Sequence, residues 1–339
     1  MQKIITEKQN LLNKFGQLSN PGYATLPVFN YSRKDIKASI WRIKEWDYYA
    51  VLNQRQGITF TIADLGYSAM VTVVLLDFEK PKKHNKTKLL WFPFGKMNLP
   101  TSSLEGDTVY HSTDFNLEFL RLPDKRIIKA FVKGFEDNKD LKVSLELEDL
   151  HDESMVIATP WKENKLAFYY NQKINCMPSS GVVELGSEKI TFNKSDTFSV
   201  LDWGRGVWTY KNTWYWSSLS GIVNGKRFGF NLGYGFGDTS SASENMLFFD
   251  GKAHKLDKIE FQLDDKDLMQ EWSFKDNQNR VDLILKPLLD RPDQMNLGII
   301  KNIGHQIFGL FSGTVVLDDG SKLMIKEMLG FAEKITNHY

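Results

Sequence analysis

Asn224-Gly225 lies between two runs of alternating residues, and this dipeptide is a strong signal for a two-residue hairpin turn. Both positions accept positive φ, so the turn fixes the register of its flanks. Opposed residues then sum to 449. Trp214 faces Gly235, Trp216 faces Gly233, Ser218 faces Asn231 and Ser220 faces Gly229 on one side of the ribbon. Tyr215 and Tyr234, Ser217 and Leu232, Leu219 and Phe230, and Gly221 and Phe228 share the other. One side reads as ordinary aromatic and aliphatic packing. The other sets indoles against bare glycines, beside hydroxyls and an amide. A glycine in a strand marks a close approach. The approaching group is either the cross-strand indole or a ligand on a flat aromatic wall.

Two further turns, Asp250-Gly251 and Asp319-Gly320, join Met246–Phe249 to Ala253–Phe261 and Gly313–Leu317 to Lys322–Met328. Upstream, Trp41–Leu52, Ile58–Ala63, Ala69–Asp77, Phe115–Leu122, Arg126–Val132, Leu141–Leu147 and Leu166–Lys173 read as strands. Helical spacing survives only in residues 4–15, where Ile4, Ile5, Leu11, Leu12 and Phe15 predict a short amphipathic helix stopped at Gly16. The fold class is mainly β, antiparallel, as a barrel or sandwich. Pro178-Ser179-Ser180-Gly181 and Asn193-Lys194-Ser195-Asp196 mark the best internal division. The expected halves are 1–185 and 186–339.

Composition narrows the function. There are 43 basic and 42 acidic residues and no basic stripe, so no nucleic-acid partner is expected. The segment Lys80–Lys88 reads as a solvated loop. The lone Cys176 permits no intrachain disulfide and reads as an inert buried thiol. The six histidines have no metal-ligand spacing, so neither metal nor cofactor is expected. No window approaches about 18 apolar residues, and no signal-peptide core appears, so a cytoplasmic, soluble chain that spans no membrane is expected.

Four of the nine tryptophans fall in Asp202-Trp203-Gly204-Arg205-Gly206-Val207-Trp208 and the following Trp214-Tyr215-Trp216. The first motif reads as a turn, with an Asp202–Arg205 ion pair pinned beneath Trp203. In the alternative reading, Asp202 is an acid whose aromatic setting raises its pKa. Gly233-Tyr234-Gly235-Phe236-Gly237 has the wrong order for a phosphate loop. Asp238 and Glu244 bracket a polar loop, and His305 lies in a Gly/Phe-rich segment. Tyr110-His111 is a weaker candidate.

Further motifs extend the pattern: Trp46-Asp47-Tyr48-Tyr49, Asn171-Gln172-Lys173-Ile174-Asn175, Gly229-Phe230-Asn231-Leu232-Gly233-Tyr234-Gly235, Glu244-Asn245, Asp290-Arg291 and His305-Gln306-Ile307-Phe308-Gly309. With the tryptophan motif, they resemble the domain-of-unknown-function 2804 family, from about residue 15 to the C-terminus. More distantly, the chain is similar to the two-domain lipocalin-like group that contains carotenoid hydratases (hydroxyneurosporene synthases). That resemblance implies two β-barrel-like halves around an apolar cleft, and it assigns no reaction.

Three functions compete. A binding protein would hold a lipid- or isoprenoid-like molecule against Trp203, Arg205, Trp208, Trp214, Trp216, Ser218, Asn231 and Tyr234. An enzyme, a lyase or hydratase or an isomerase, would hydrate, isomerise or cyclise a hydrophobic substrate. Asp202, Asp238 or Glu244 would then supply the proton, His305 would serve as a possible shuttle, and the indoles would steady positive charge. A structural protein would need no ligand.

Overall fold

The computed structural model describes residues 2–296 and 301–338. Two antiparallel sheets make up nearly all of it. The first runs, in spatial order, through Lys82–Trp91, Ser68–Asp77, Gln56–Asp64, Ile43–Leu52, Phe198–Val207, Asn164–Leu185, Lys139–Glu148, Lys125–Glu136, Phe115–Leu122 and Thr108–His111. Met155–Trp161 and Glu188–Phe192 also pair with the long strand Asn164–Leu185. The sheet curls until its edge strand Lys82–Trp91 reaches Lys125–Glu136, where the Lys86 ammonium donates to the carbonyls of Lys133 and Gly134. Lys80–Lys88 is thus mostly this edge strand and not a loop, and its lysines suit an edge that must not pair further.

The second sheet runs Lys252–Lys255, Met246–Phe249, Lys226–Tyr234, Lys211–Val223, Lys322–His338, Lys301–Val316, Val281–Asn296, Trp272–Asp276 and Ile259–Gln262. All three expected hairpins are present, with Asn224, Asp250, Gly225, Gly251 and Gly320 at positive φ. Hydrogen bonding changes sheets at 208–210, beyond the expected division at 185/186.

Residues 4–15 form no helix. Gln9–Asn10 pairs in parallel with Phe29–Asn30, and Ile4 bridges Tyr23. Leu11 and Leu12 are both buried although adjacent, while Phe15 stays exposed. Backbone bonds to residues 28–30 and to Tyr23 hold the segment extended, so long-range pairing overrides the local spacing.

The hairpin has the expected register from Tyr215↔Tyr234 to Gly221↔Phe228. The ladder stops before Trp214, and Gly235 turns away with φ 97°. Leu219, Phe228, Phe230 and Leu232 enter a core with Trp272, Phe274 and Phe311 inside the second sheet. Trp216 faces the opposite way, into a core shared with the first sheet. Two cores and a seam result, and the indoles are in the seam.

Candidate functional site

The motif from Asp202 to Val207 is the end of a fully buried strand, not a turn. Strand alternation therefore sends Asp202 and Arg205 to opposite faces. They form no ion pair with each other. Arg205 turns into the first sheet, where its guanidinium lies 4.0 Å over Trp203. It donates to the carbonyls of Trp46, Gly204 and Pro100 and pairs with Asp47 at 3.0 Å. Gly204 is where an indole covers a glycine: a side chain there would collide with the Trp46 ring.

Asp202 turns into the seam. Its carboxylate is 2.9 Å from the ammonium of Lys173, which is 1% exposed, and accepts from Asn171 Nδ2 at 2.7 Å. Lys173 comes from the strand paired with Asp202, and its charge lies 3.9 Å over Trp216. Trp216 donates Nε1–H to Asn231 Oδ1 at 2.6 Å. Asn231 in turn donates to the backbone carbonyl of Glu244.

Two more carboxyls complete the group. Glu244 accepts from the Tyr169 hydroxyl at 3.3 Å. Its other oxygen lies over Gly233, so the glycine opposite Trp216 makes room for a carboxyl rather than for the indole. Glu333 accepts from Trp214 Nε1 at 3.1 Å and from Gln306, which also bonds Tyr48 and Arg291. Burial pushes Glu244 up to about 7, against the pull of Lys173 and with the push of Asp202. Burial likewise pushes Glu333 up to about 7, against the Trp214 N–H and Lys173. Asn171 Oδ1, Glu244 Oε1 and Trp208 Nε1 are buried without a protein partner. Such orphaned atoms are uncommon in a packed seam.

A cleft of about 660 Å³ opens beside this group, lined by Trp161, Lys162, Thr213, Gly235, Gly237 and Asp238 among others. It is more polar than the expected apolar cleft, and Trp161 is its one indole among the described residues. Phe236, between the two lining glycines, closes off the seam. Its ring stacks on Tyr169 at 4.7 Å and touches Trp208 and Trp214.

The structure thus gathers Asp202, Glu244, Trp208, Trp214, Trp216 and Asn231, with Ser218 bonded nearby to Asn175. It does not gather the rest. Asp238 is on the cleft rim, 3.7 Å from Lys162. His305 pairs with Asp290 at 2.8 Å, while its neighbour Gln306 faces the seam. Tyr234 stacks on Tyr215 on the opposite sheet face. Trp203 and Arg205 are within the first sheet. Cys176 is buried, and burial pushes its thiol up to about 12, which suits an inert residue. Sequence reasoning missed Lys173, quoted only within a motif, and Glu333, which no spacing ties to the tryptophans.

The chain belongs to the family described as domain of unknown function 2804 (DUF2804), whose model matches residues 2–339. No curated protein matches the sequence. Among solved structures it is similar to CghA, with 9% identity, 97% of each chain covered and a TM-score of 0.52. It is also similar to a Nitrosomonas europaea protein designated AttH, with 13% identity, 90% of this chain and 95% of that one covered, and a TM-score of 0.50. Kievitone hydratase from Nectria haematococca aligns at 10% identity over 87% and 88%, with a TM-score of 0.48. The fold is the two-domain lipocalin-like one. Among the described residues, no helix is long and apolar enough to cross a membrane.

Proposed function

We propose that this DUF2804 protein is a proton-transfer enzyme acting on a small molecule with an apolar, unsaturated body. One observation carries the reading: Glu244 and Glu333 are both buried and pushed up to about 7, both feel the charges of the Lys173–Asp202 pair, and Glu333 takes the Trp214 N–H. A carboxylic acid that keeps its proton near neutrality is suited to general-acid work. Protonating a double bond from Glu244 leaves a carboxylate and a substrate cation, which the face of Trp214 steadies. Water then adds and gives up a proton, a neighbouring carbon loses its proton, or a second double bond attacks and the new cation loses a proton; in each case the Glu244 carboxylate takes a proton back. The outcomes are hydration, isomerisation or cyclisation. Substrate enters from the cleft when Phe236 swings aside on its flanking glycines.

A carrier without turnover is the second reading. The orphaned atoms of Asn171, Glu244 and Trp208 favour it, since a bound molecule satisfies them without chemistry.

Incubation in D₂O with a panel of terpenoid and polyunsaturated compounds tests the first reading. Mass spectrometry is expected to find deuterium on carbon in at least one panel member, and Glu244→Gln is expected to abolish it while ligand binding persists. Binding without deuterium uptake in the wild type assigns the carrier role. Neither binding nor uptake across the panel removes both.

A further inference from the structure

A second feature stands apart from the seam. Ile40, Trp41, Leu89, Trp91 and Phe92 are between 46% and 54% exposed, and they come from two separate segments. Trp41 meets Phe92 and Phe94 edge-on, at 5.9 and 4.8 Å, and Trp91 lies 6.4 Å from Phe92. Scattered exposed apolar residues need no explanation, but a contiguous aromatic group does.

This shelf is built, not frayed. Phe92 and Phe94 hold left-handed backbone, φ 58° and 47°, which bulky residues avoid. Their N–H groups donate to the carbonyls of Tyr67 and Gly66 at 2.8 and 3.2 Å. The buried carboxylate of Asp64 accepts from the N–H groups of Gly66 and Gly95. The buried Lys44 ammonium grips the Trp41 carbonyl at 3.2 Å. The 64–67 turn therefore clamps both segments and holds their aromatics outward.

Charge is concentrated here too. Residues 33–44 contain five basic residues and one acid, and residues 88–98 contain two basic residues and no acid, in a chain of net charge +1. Lys88 is paired with Asp114, and Arg33 with Glu45. Lys34, Lys37 and Lys96 are exposed.

We infer that this shelf seats the protein peripherally on an anionic lipid surface. Indoles favour the boundary between bilayer and water, and flanking lysines meet anionic headgroups. Five half-exposed side chains at roughly 100 Å² each fall short of the roughly 800 Å² per partner of a stable protein interface. The shelf also adjoins the cleft. The backbone N–H of Trp208 donates to the Arg42 carbonyl, the Arg42 guanidinium lies 5.8 Å from the half-exposed Tyr210 ring, and the intervening Thr209 lines the cleft. A molecule leaving a membrane would meet the cleft mouth close by. Seating on a lipid surface requires no turnover.

Flotation of the full chain with vesicles of phosphatidylcholine, with and without phosphatidylglycerol, tests it. Binding is expected only to the anionic vesicles and should weaken in high salt. Trp91→Ala, which touches little else, should reduce it. Lys34→Gln, Lys37→Gln and Lys96→Gln should each reduce it roughly fivefold, with circular dichroism unchanged. Absence of binding overturns the inference, as does binding that these variants leave intact. A concentration-dependent dimer that Trp91→Ala dissolves, without vesicle binding, assigns the shelf to a second copy and also overturns it.

Discussion

The strand Phe198–Val207 carries two buried ionic groups on its two faces, and they are finished to different degrees. On the inner face, Arg205 is 0% exposed and its donors meet four acceptors, three of them backbone carbonyls. On the seam face, Asp202 and Lys173 pair with good geometry, but Glu244 Oε1 and Asn171 Oδ1 are left without partners and two carboxyls are pushed towards neutrality. Both faces are equally dry. A guanidinium held by a carboxylate and three carbonyls acts as a fastener. A network with unmatched atoms and groups poised near pH 7 has capacity to spare for something not fixed in the fold. Burial alone does not separate the two groups, and Trp203 Nε1 under Arg205 is itself unpartnered; what differs is how far the charged side chains themselves are matched.

Removing Arg205 is the strongest way to break this contrast. Arg205→Ala strands Asp47 in a dry interior and uncaps three carbonyls, and a loss of about 3–5 kcal/mol is expected. Arg205→Lys should recover little, because one ammonium does not reproduce a planar fork with five donors. Urea denaturation measures both. If Arg205→Ala costs under about 1 kcal/mol, the inner face is not a fastener, and the comparison fails on that side.

The seam carboxyls should show themselves through pH. Glu244 and Glu333 rise from 4.5 to about 7 on folding. The folded chain therefore holds their protons more tightly than the unfolded chain. Their stabilising contribution is full below about pH 4.5 and is lost as pH rises through 7. Each is worth about 3 kcal/mol over that window. Glu244→Gln, and more so the double variant with Glu333→Gln, should flatten the decline between pH 5 and 7. Lys44 and Lys255, which burial lowers to about 7, act oppositely and only above that window. An unchanged pH slope in the double variant would show that the seam carboxyls titrate as ordinary surface groups.

The sequence was legible where local rules decide the outcome. Asn224-Gly225 sets a register that alternation carries through seven opposed pairs, and Asp250-Gly251 does the same for its hairpin, whereas Asp319-Gly320 sits in a longer loop closed between Leu317 and Ser321. It was misleading where the outcome depends on a distant partner. Asp202 and Arg205 look like a pair because they are three apart around a glycine, which suits a turn. In a strand that spacing puts them on opposite faces. Glu333 reaches Trp214 across 119 residues, and only the pairing of Lys211–Val223 with Lys322–His338 makes them neighbours. Gly233 was read correctly as a place of close approach, but the visitor is the Glu244 carboxyl, delivered by a loop whose path no local signal records.

The finest cut compares two indoles within the seam itself. Trp216 spends its indole N–H on Asn231, which in turn holds the Glu244 backbone, whereas the Trp208 indole N–H has no protein partner. Trp216→Phe leaves Asn231 Oδ1 unpaired, which should cost about 1–3 kcal/mol beyond the cavity it opens. Trp208→Phe leaves a comparable cavity but strands no acceptor, so it should cost about 1–3 kcal/mol less than Trp216→Phe. The order of function is expected to reverse. If the Trp208 indole N–H is reserved for a ligand, Trp208→Phe weakens retention of whatever the cleft admits while moving the denaturation midpoint less than Trp216→Phe does. Equal stability losses in the two variants, with no change in ligand retention, would show that the orphaned donor has no purpose beyond its ring.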